Sequence, residues 1–345
     1  MQAKTAEVAV TEPATEQATF RSSTRRVRDA IGGQNLSLLV ALGILIAVIG
    51  IQNSNFFLPA NIRTIGTAIS ILGVISVGQT VVMLLGGLDI SVGSQAGLAS
   101  VVAAMIFTDA SSAAFGILAS IGVGILAGLF NGLIIVYGRV NAVIATLATY
   151  AGYRGLANLI SDGRSQGYTG ADSTFIFLSN GKIADIPVLI WVLVIVALLV
   201  YGMLRYTDVG RNIYAIGGNA TAARLSGINL NRYILGAYVV TGAIAALAGI
   251  LLTARTGSGQ PTSGSQGLEL QSITAAALGG CSLRGGKGTI VGTVLAVLLL
   301  GVLTNGLTIL DVNAFWQDIA QGALLVIAVM IQQRRRGVRA VGLPA

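Results

Sequence analysis

Leu36–Ile51 and Ile186–Val200 run almost without a polar side chain, and similar stretches recur along the chain. Runs of this kind constrain the fold more than any other feature. In hydrocarbon every backbone N–H and C=O must be paired within the protein, so spans are helices or closed barrels. Barrel strands alternate apolar and polar residues over about ten positions, whereas these runs are continuous. A helical span needs about 20 mostly apolar residues. The reading is an all-α polytopic membrane protein. Composition agrees: 10% of the residues are charged, against about 25% in a soluble domain. Too few polar groups remain to cover the surface of a soluble enzyme. The chain has no histidine and one cysteine, which excludes a disulfide framework and all histidine chemistry. No catalytic residue and no metal site is assigned.

Ten segments are expected, at about 34–52, 61–85, 91–108, 115–137, 141–160, 187–206, 232–254, 268–281, 288–310 and 315–333. The eighth is short for a full span. An even count puts both termini on one side. That side then holds the basic residues of both ends and of the even-numbered loops. Only Arg63, Arg154, Arg164, Lys182 and Arg255 fall outside it or within the membrane, leaving 16 of the 21 on one face. Under the positive-inside rule that face is cytoplasmic. The net charge of +8 is then a topology signal with anionic lipid as its partner, and no nucleic acid is needed. Residues 1–33 read as a disordered cytoplasmic tail ending in a basic anchor at Arg21, Arg25, Arg26 and Arg28, not as a cleavable signal peptide. Residues 34–333 form the transmembrane domain, and 334–345 a basic cytoplasmic tail.

Asn131-Gly132-Leu133 recurs as Asn305-Gly306-Leu307, each shortly followed by Val-Asn-Ala. These lie on the fourth and ninth segments. An odd offset of five inverts helix direction, the arrangement of inverted-repeat transporters with two five-helix halves. A competing match, Leu85-Gly86-Gly87 with Leu278-Gly279-Gly280, would give a parallel repeat instead.

Charged groups at mid-depth usually mark proton, ion or substrate paths. Arg154 is the clearest candidate, as a gate or a snorkelling structural group. Glu269 and Asp318 are expected near span ends. With so few carboxylates, proton coupling is poorly supported, and energy is expected from another subunit. The chain carries no phosphate-binding loop: Gly285-Gly286-Lys287-Gly288-Thr289 lacks the Gly five positions before Gly286 and the Ser or Thr after Lys287.

Four stretches carry a resemblance: Gly86–Ser94 (GGLDISVGS), Val140–Ala157, Gly210–Arg232 (GRNIYAIGGNATAARLSGINLNR), and Leu278–Thr293 followed by Asn305–Leu310. They resemble the permease subunits of ribose-type monosaccharide ABC importers, in a superfamily shared with branched-chain amino-acid permeases. The resemblance covers about residues 35–335. It implies a permease dimer in the bacterial inner membrane with a pathway at the dimer axis, powered by cytoplasmic ATP-binding-cassette ATPase subunits. An extracytoplasmic sugar-binding protein feeds it. ATP and Mg would reside on the ATPase, with no cofactor on this chain. Branched-chain amino-acid transport on the same fold is the nearest rival, and an ion-coupled secondary carrier a more distant one.

The resemblance also implies site residues. Ala222-Ala223-x-x-x-Gly227 matches the E-A-A-x-x-x-G pattern of the helix that docks into the ATPase, although Thr221 stands where the pattern has Glu. Gly217, Gly218, Asn219, Ala222, Ala223, Arg224, Leu225, Ser226, Gly227 and Ile228 form this coupling region, with Gly227 stopping the helix and Leu225 and Ile228 as apolar anchors. By residue type alone, a connecting helix lying on lipid fits equally. Gly86, Gly87, Asp89, Ser91 and Gly93 belong to a cytoplasmic turn in which Asp89 and Ser91 cap the third span or meet the ATPase. Weak sugar binding suits uncharged polar groups, so Gln79, Asn131, Thr146, Thr149, Asn305 and Thr308, with Arg154, are the pathway candidates. Each is equally suited to bonding between helices.

Overall fold

The computed structural model describes residues 33–110, 112–167 and 173–334. Among them are thirteen helices and two two-stranded ribbons. The helices are α1 (Gly33–Gln52), α2 (Pro59–Leu84), α3 (Val92–Ala110), α4 (Ala113–Val136), α5 (Ala142–Ile160), α6 (Ser173–Asn180), α7 (Val188–Tyr206), α8 (Asp208–Gly218), α9 (Ala220–Leu225), α10 (Leu230–Thr256), α11 (Leu268–Leu278), α12 (Ile290–Ile309) and α13 (Ala314–Arg334). The ribbons pair β1 (Gln166–Gly167) with β4 (Ser258–Gly259), and β2 (Lys182–Ile183) with β3 (Ile186–Pro187), both antiparallel. Each of the ten expected segments is a helix, with ends within four residues of those expected. The two terminal tails lie outside the described residues except where Gly33 opens α1 and Arg334 closes α13.

Six helices (α1, α2, α4, α7, α10 and α12) are long and apolar enough to cross a membrane. Their outer faces are apolar: Leu118 and Leu126 on α4 and Leu198 and Leu199 on α7 are each more than 60% exposed. A band of bare leucine is what lipid, not water, covers. Side-chain caps start several helices. Asn141 accepts from Val143 N–H, Asn229 from Arg232 N–H and Thr289 from Gly292 N–H, meeting donors the first turn leaves free.

Helix α2 is the axis of the bundle, buried almost continuously from Ile65 to Leu84. It packs against α7, α10, α11 and α12. The α4–α10 crossing is built from glycines one turn apart. A methyl at Gly124 or Gly128 would collide with the main-chain carbonyls of Gly242 and Tyr238. Small residues at this spacing let helix backbones touch in a membrane, where dispersion and not hydrophobicity drives association.

The packing repeats. The second, third, fourth and fifth helices of the first half are α2, α3, α4 and α5; those of the second are α10, α11, α12 and α13. Exchanging the sets maps α10–α4 onto α2–α12, α10–α3 onto α2–α11, α3–α4 onto α11–α12 and α3–α5 onto α11–α13, and all eight pairs are in contact. Helices α2 and α10 are antiparallel, since Thr241 donates to Gly78 O and Gly87 lies beside Tyr238. The halves are therefore inverted, which favours the Asn-Gly-Leu repeat over the parallel alternative. The first helices break the symmetry: α1 packs on α12, and α7 on α2.

Two elements differ from expectation. The eighth segment is not a full span, because α11 has only 11 residues, about 16 Å. The crossing before it is irregular chain. Residues 259–265 descend along α3, from Gly259 beside Ala104, through Pro261 and Ser265 beside Gly97, to Ser265 O beside Gly93. The other is 85–91, expected as a cytoplasmic turn. It folds back into the bundle, and Asp89 and Ser91 are fully buried there. Gln79, five residues (about 7.5 Å) inside the end of α2, lies along the Asp89 main chain; with its amide turned to match donor to acceptor, it donates to the Asp89 carbonyl at 3.1 Å and accepts from its N–H at 3.2 Å. Gly93 belongs to the first turn of α3. The two re-entrant stretches enter from opposite ends, each just before the third helix of its half, as inversion requires.

Candidate functional site

The re-entrant turn builds a polar core. Asp89 Oδ1 accepts from Ser91 N–H at 2.9 Å and from Ser91 Oγ at 2.6 Å. The former closes a turn immediately ahead of α3, which begins at Val92, rather than capping the first turn of that helix. Gln95 Nε2 donates to Ser91 Oγ at 2.7 Å and to Asp89 Oδ2 at 3.3 Å. Asn131 Nδ2 donates to Ser91 Oγ at 2.8 Å, and Tyr153 OH to Asn131 Oδ1 at 3.1 Å. Tyr238 OH donates to Leu88 O at 3.1 Å, and Thr146 Oγ1 lies at 3.4 Å from the same carbonyl. Every side chain facing the Asp89 carboxyl is a donor. Irregular backbone at membrane depth is tolerated only when satisfied in this way. The network ties α2, α3, α4, α5 and α10 together.

The second re-entrant stretch makes the other polar cluster. Arg154 Nη1 donates to Pro261 O and to Ser265 Oγ, both at 2.6 Å, and its guanidinium lies 5.6 Å from the Tyr150 ring centroid. Glu269, 6% exposed, turns one oxygen back to Gly267 N–H at 3.1 Å, which caps α11 and sets a carboxylate against its positive end. Arg154 Nη2, Glu269 Oε2 and Gln95 Oε1 are buried with no partner among the described residues. Arg154 Nη1 and Glu269 Oε2 lie beside Gly97 and Gly93, one turn apart on the same face of α3. The sequence reading expected few carboxylates in the interior and Glu269 near a span end; the structure buries two, Asp89 and Glu269, the latter in the first turn of α11. The shortage of carboxylates then says nothing about the energy source.

The basic residues separate by end. Leu84 O accepts from Gly286 N–H, Tyr214 OH donates to Gly288 O, and Arg139 and Arg224 line one cavity. These contacts gather the 205–232 and 284–287 basic residues at one end. Arg63, Lys182 and Asp185 form ion pairs at the other, where Arg63 holds the exposed Asp185 carboxyl below its ordinary range. Each described terminus also points to the basic end, because Asn53 donates to Ile309 O and Gln321 to Thr304 Oγ1 at the far one.

The expected coupling segment is a capped helix at the basic end. Asn219 accepts from Ala222 N–H at 3.0 Å. At the other terminus Ile228 N–H donates to Ala223 O and Gly227 N–H to Arg224 O, with Gly227 at φ +82°. This is the paired-bond stop that favours glycine. Ala223 is the buried foot, while Leu225 is 85% exposed. Ala222, Arg224, Ser226 and Gly227 are also exposed. Beside them is a cavity of about 720 Å³ lined by Arg139, Arg224, Gly227 and Ile228. Gly217 is turned inward, where a methyl would collide with Leu84 O, and Gly218 lies against Gly286.

Of the pathway candidates, Gln79, Asn131 and Thr146 meet in the Asp89 core, and buried Thr149 donates to Thr146 O at 3.3 Å and lies beside Tyr153. Arg154 stands in the second cluster. Asn305 is remote, exchanging amide bonds with Asn61 at 2.8 and 3.1 Å, and Thr308 is exposed at the same end. Sequence reasoning missed Gln95, Tyr153 and Ser265, and named Glu269 only as a charge near a span end. Gln95 had a signal, being four residues after Ser91 and so one turn above it.

Comparison with known proteins agrees with this architecture. The family described as branched-chain amino acid transport system / permease component matches residues 61–329. The ribose import permease protein of Escherichia coli strain K12 is 39% identical over 300 residues, 86% of this chain and 93% of that one. Its Bacillus subtilis strain 168 counterpart is 38% identical over 302 residues, 88% and 94% of the two chains. The L-arabinose transport system permease protein of Escherichia coli strain K12 is 37% identical over 300 residues, 87% and 90%. No solved structure matches. With its inverted halves, a re-entrant stretch before the third helix of each, and a capped surface helix, the chain belongs to the branched-chain amino acid transport system / permease component family.

Proposed function

We propose that this chain is the permease subunit of an ABC importer for a monosaccharide, in the bacterial inner membrane with its basic end cytoplasmic. It forms the pathway as a dimer with a second permease chain. A separate ATP-binding-cassette ATPase, which holds ATP and Mg, drives it, and an extracytoplasmic sugar-binding protein delivers the solute. The names of the ribose and arabinose relatives support the sugar. The observation that carries the coupling is α9: a helix fixed by caps at both ends, rooted by Ala223, that presents an 85% exposed Leu225 at the end where basic residues collect. An apolar side chain held rigidly in water anchors a partner's groove.

In the assembled complex, Gly227→Trp is expected to abolish substrate-stimulated ATP hydrolysis. A bulky residue at φ +82° also strains the backbone by about 1–2 kcal/mol. Leu225→Asp, at a position free of internal packing, separates the two effects. It should remove the stimulation while the permease extracts and runs as wild type. Stimulation unchanged in Leu225→Asp refutes the coupling role.

A further inference from the structure

A groove of about 490 Å³ lies between α11, α12 and α13, within the roughly 300–1,000 Å³ range of small-molecule sites. Its polar wall is Gln266, Gln271, Thr274, Thr304, Asp318 and Gln321. Thr304 stands 14 residues along α12 from Ile290, about 21 Å. Asp318 stands four residues into α13 from the opposite end, about 6 Å. The groove thus sits within the depth these helices cross. Gln266, Gln271 and Asp318 make no side-chain hydrogen bond among the described residues, and Gln321 reaches only Thr304 Oγ1, at 3.4 Å. Lipid tails offer such groups nothing, and unsatisfied polar groups in hydrocarbon are costly. Water or a polar solute must fill the groove.

The lining selects among solutes. It contains no Lys or Arg. The remaining cationic feature, the N-terminus of α11, is already engaged, since Glu269 accepts from Gly267 N–H. A carboxylate-bearing solute such as an amino acid therefore finds no counter-charge. Side-chain amides and hydroxyls both donate and accept, and a carboxylate accepts twice over, which matches the donor and acceptor on every sugar hydroxyl. Three leucines in the wall suit the C–H face of a sugar ring.

We infer that this groove is a subsite of the translocation path, holding a neutral polyhydroxylated solute through Gln271, Gln321 and Asp318. The inference rests on the reading of the chain as a sugar permease. The test uses the complete transporter in membrane vesicles with D-ribose as probe. Gln271→Cys and Gln321→Cys are reacted with a charged, membrane-impermeant thiol reagent; the parent, whose Cys281 is buried, is the control. Both variants should label well above the parent, and D-ribose should slow the labelling. Gln271→Ala and Asp318→Ala should raise the KM for uptake about tenfold, the loss of one good hydrogen bond, with maximal ATP hydrolysis retained. No labelling at either position means lipid or a second copy covers the groove, and overturns the inference. Labelling that D-ribose does not slow, with KM unchanged, overturns it equally. If the parent takes up amino acids and no pentose or hexose, the sugar reading itself falls, while the labelling still reports whether the groove is open to water.

Discussion

Asp89 distinguishes a structural carboxyl from one whose charge is used in transport. In Asp89→Leu four donors lose an acceptor: Ser91 N–H (2.9 Å), Ser91 Oγ (2.6 Å), Gln95 Nε2 (3.3 Å) and Asn131 Nδ2 (3.5 Å). Gln95 and Ser91 keep each other at 2.7 Å, so the full cost falls on the Ser91 N–H and partly on its hydroxyl. An orphaned buried polar group costs about 1–3 kcal/mol, and a mean membrane side-chain bond about 0.6. The sum is a loss of roughly 2–5 kcal/mol. Asp89→Asn behaves differently. Its oxygen still accepts from both Ser91 groups. Its new amide faces Gln95 Nε2 and, more distantly, Asn131 Nδ2 donor to donor, but Gln95 Oε1 is buried without a partner among the described residues and a 180° rotation of that amide turns an acceptor towards it. That exchange forfeits the bond to Ser91 Oγ, a net cost of about 1 kcal/mol. Reversible unfolding in mixed detergent–SDS micelles measures both differences, and uptake by the assembled transporter measures function. The expectation is Asn close to wild type in both and Leu severely unstable. Equal destabilisation by the two would refute the hydrogen-bond account. A stable Asp89→Asn that no longer transports would show that the charge itself is used.

At the α4–α10 crossing, Gly128→Leu forces the helices apart at a main-chain carbonyl. It should cost about 1–3 kcal/mol or more, whereas Gly122→Leu, which faces open space, should be neutral in the same unfolding assay. At the far end, Asp185 has its pKa lowered below 3.8, first by its bond to Arg63. A lowered carboxyl stabilises the fold above its unfolded pKa and loses that contribution as pH falls through the folded value. The difference in unfolding midpoint between wild type and Asp185→Asn should thus be constant near pH 7 and shrink below about pH 4, and a difference that grows on acidification would contradict the pairing.

The ten helices and the gathering of basic residues at one end were legible in the sequence because each is a local or additive signal. Apolar run length decides whether a segment spans, and basic residues report topology one loop at a time. The small α9 was expected through the family resemblance, with Gly227 as its stop, whereas its Asn219 cap was seen only in the structure. The inversion of the halves showed as the Asn-Gly-Leu repeat, though a competing match left the choice open until the helix pairs were seen.

The depth of a loop had no such signal. Gly86–Ser94 reads as a turn because its glycines and Asp89 are turn residues, and GSGQPTSGSQG (257–267) reads as a polar connection. Both are drawn into the bundle because partners far along the chain satisfy them: Gln79, Asn131, Tyr153 and Tyr238 for the first, Arg154 and the glycine face of α3 for the second. Composition fixes whether a segment prefers lipid or water. Only the tertiary fold decides that a polar segment enters the membrane interior, because its cost there is met by hydrogen bonds that exist only once the helices have assembled.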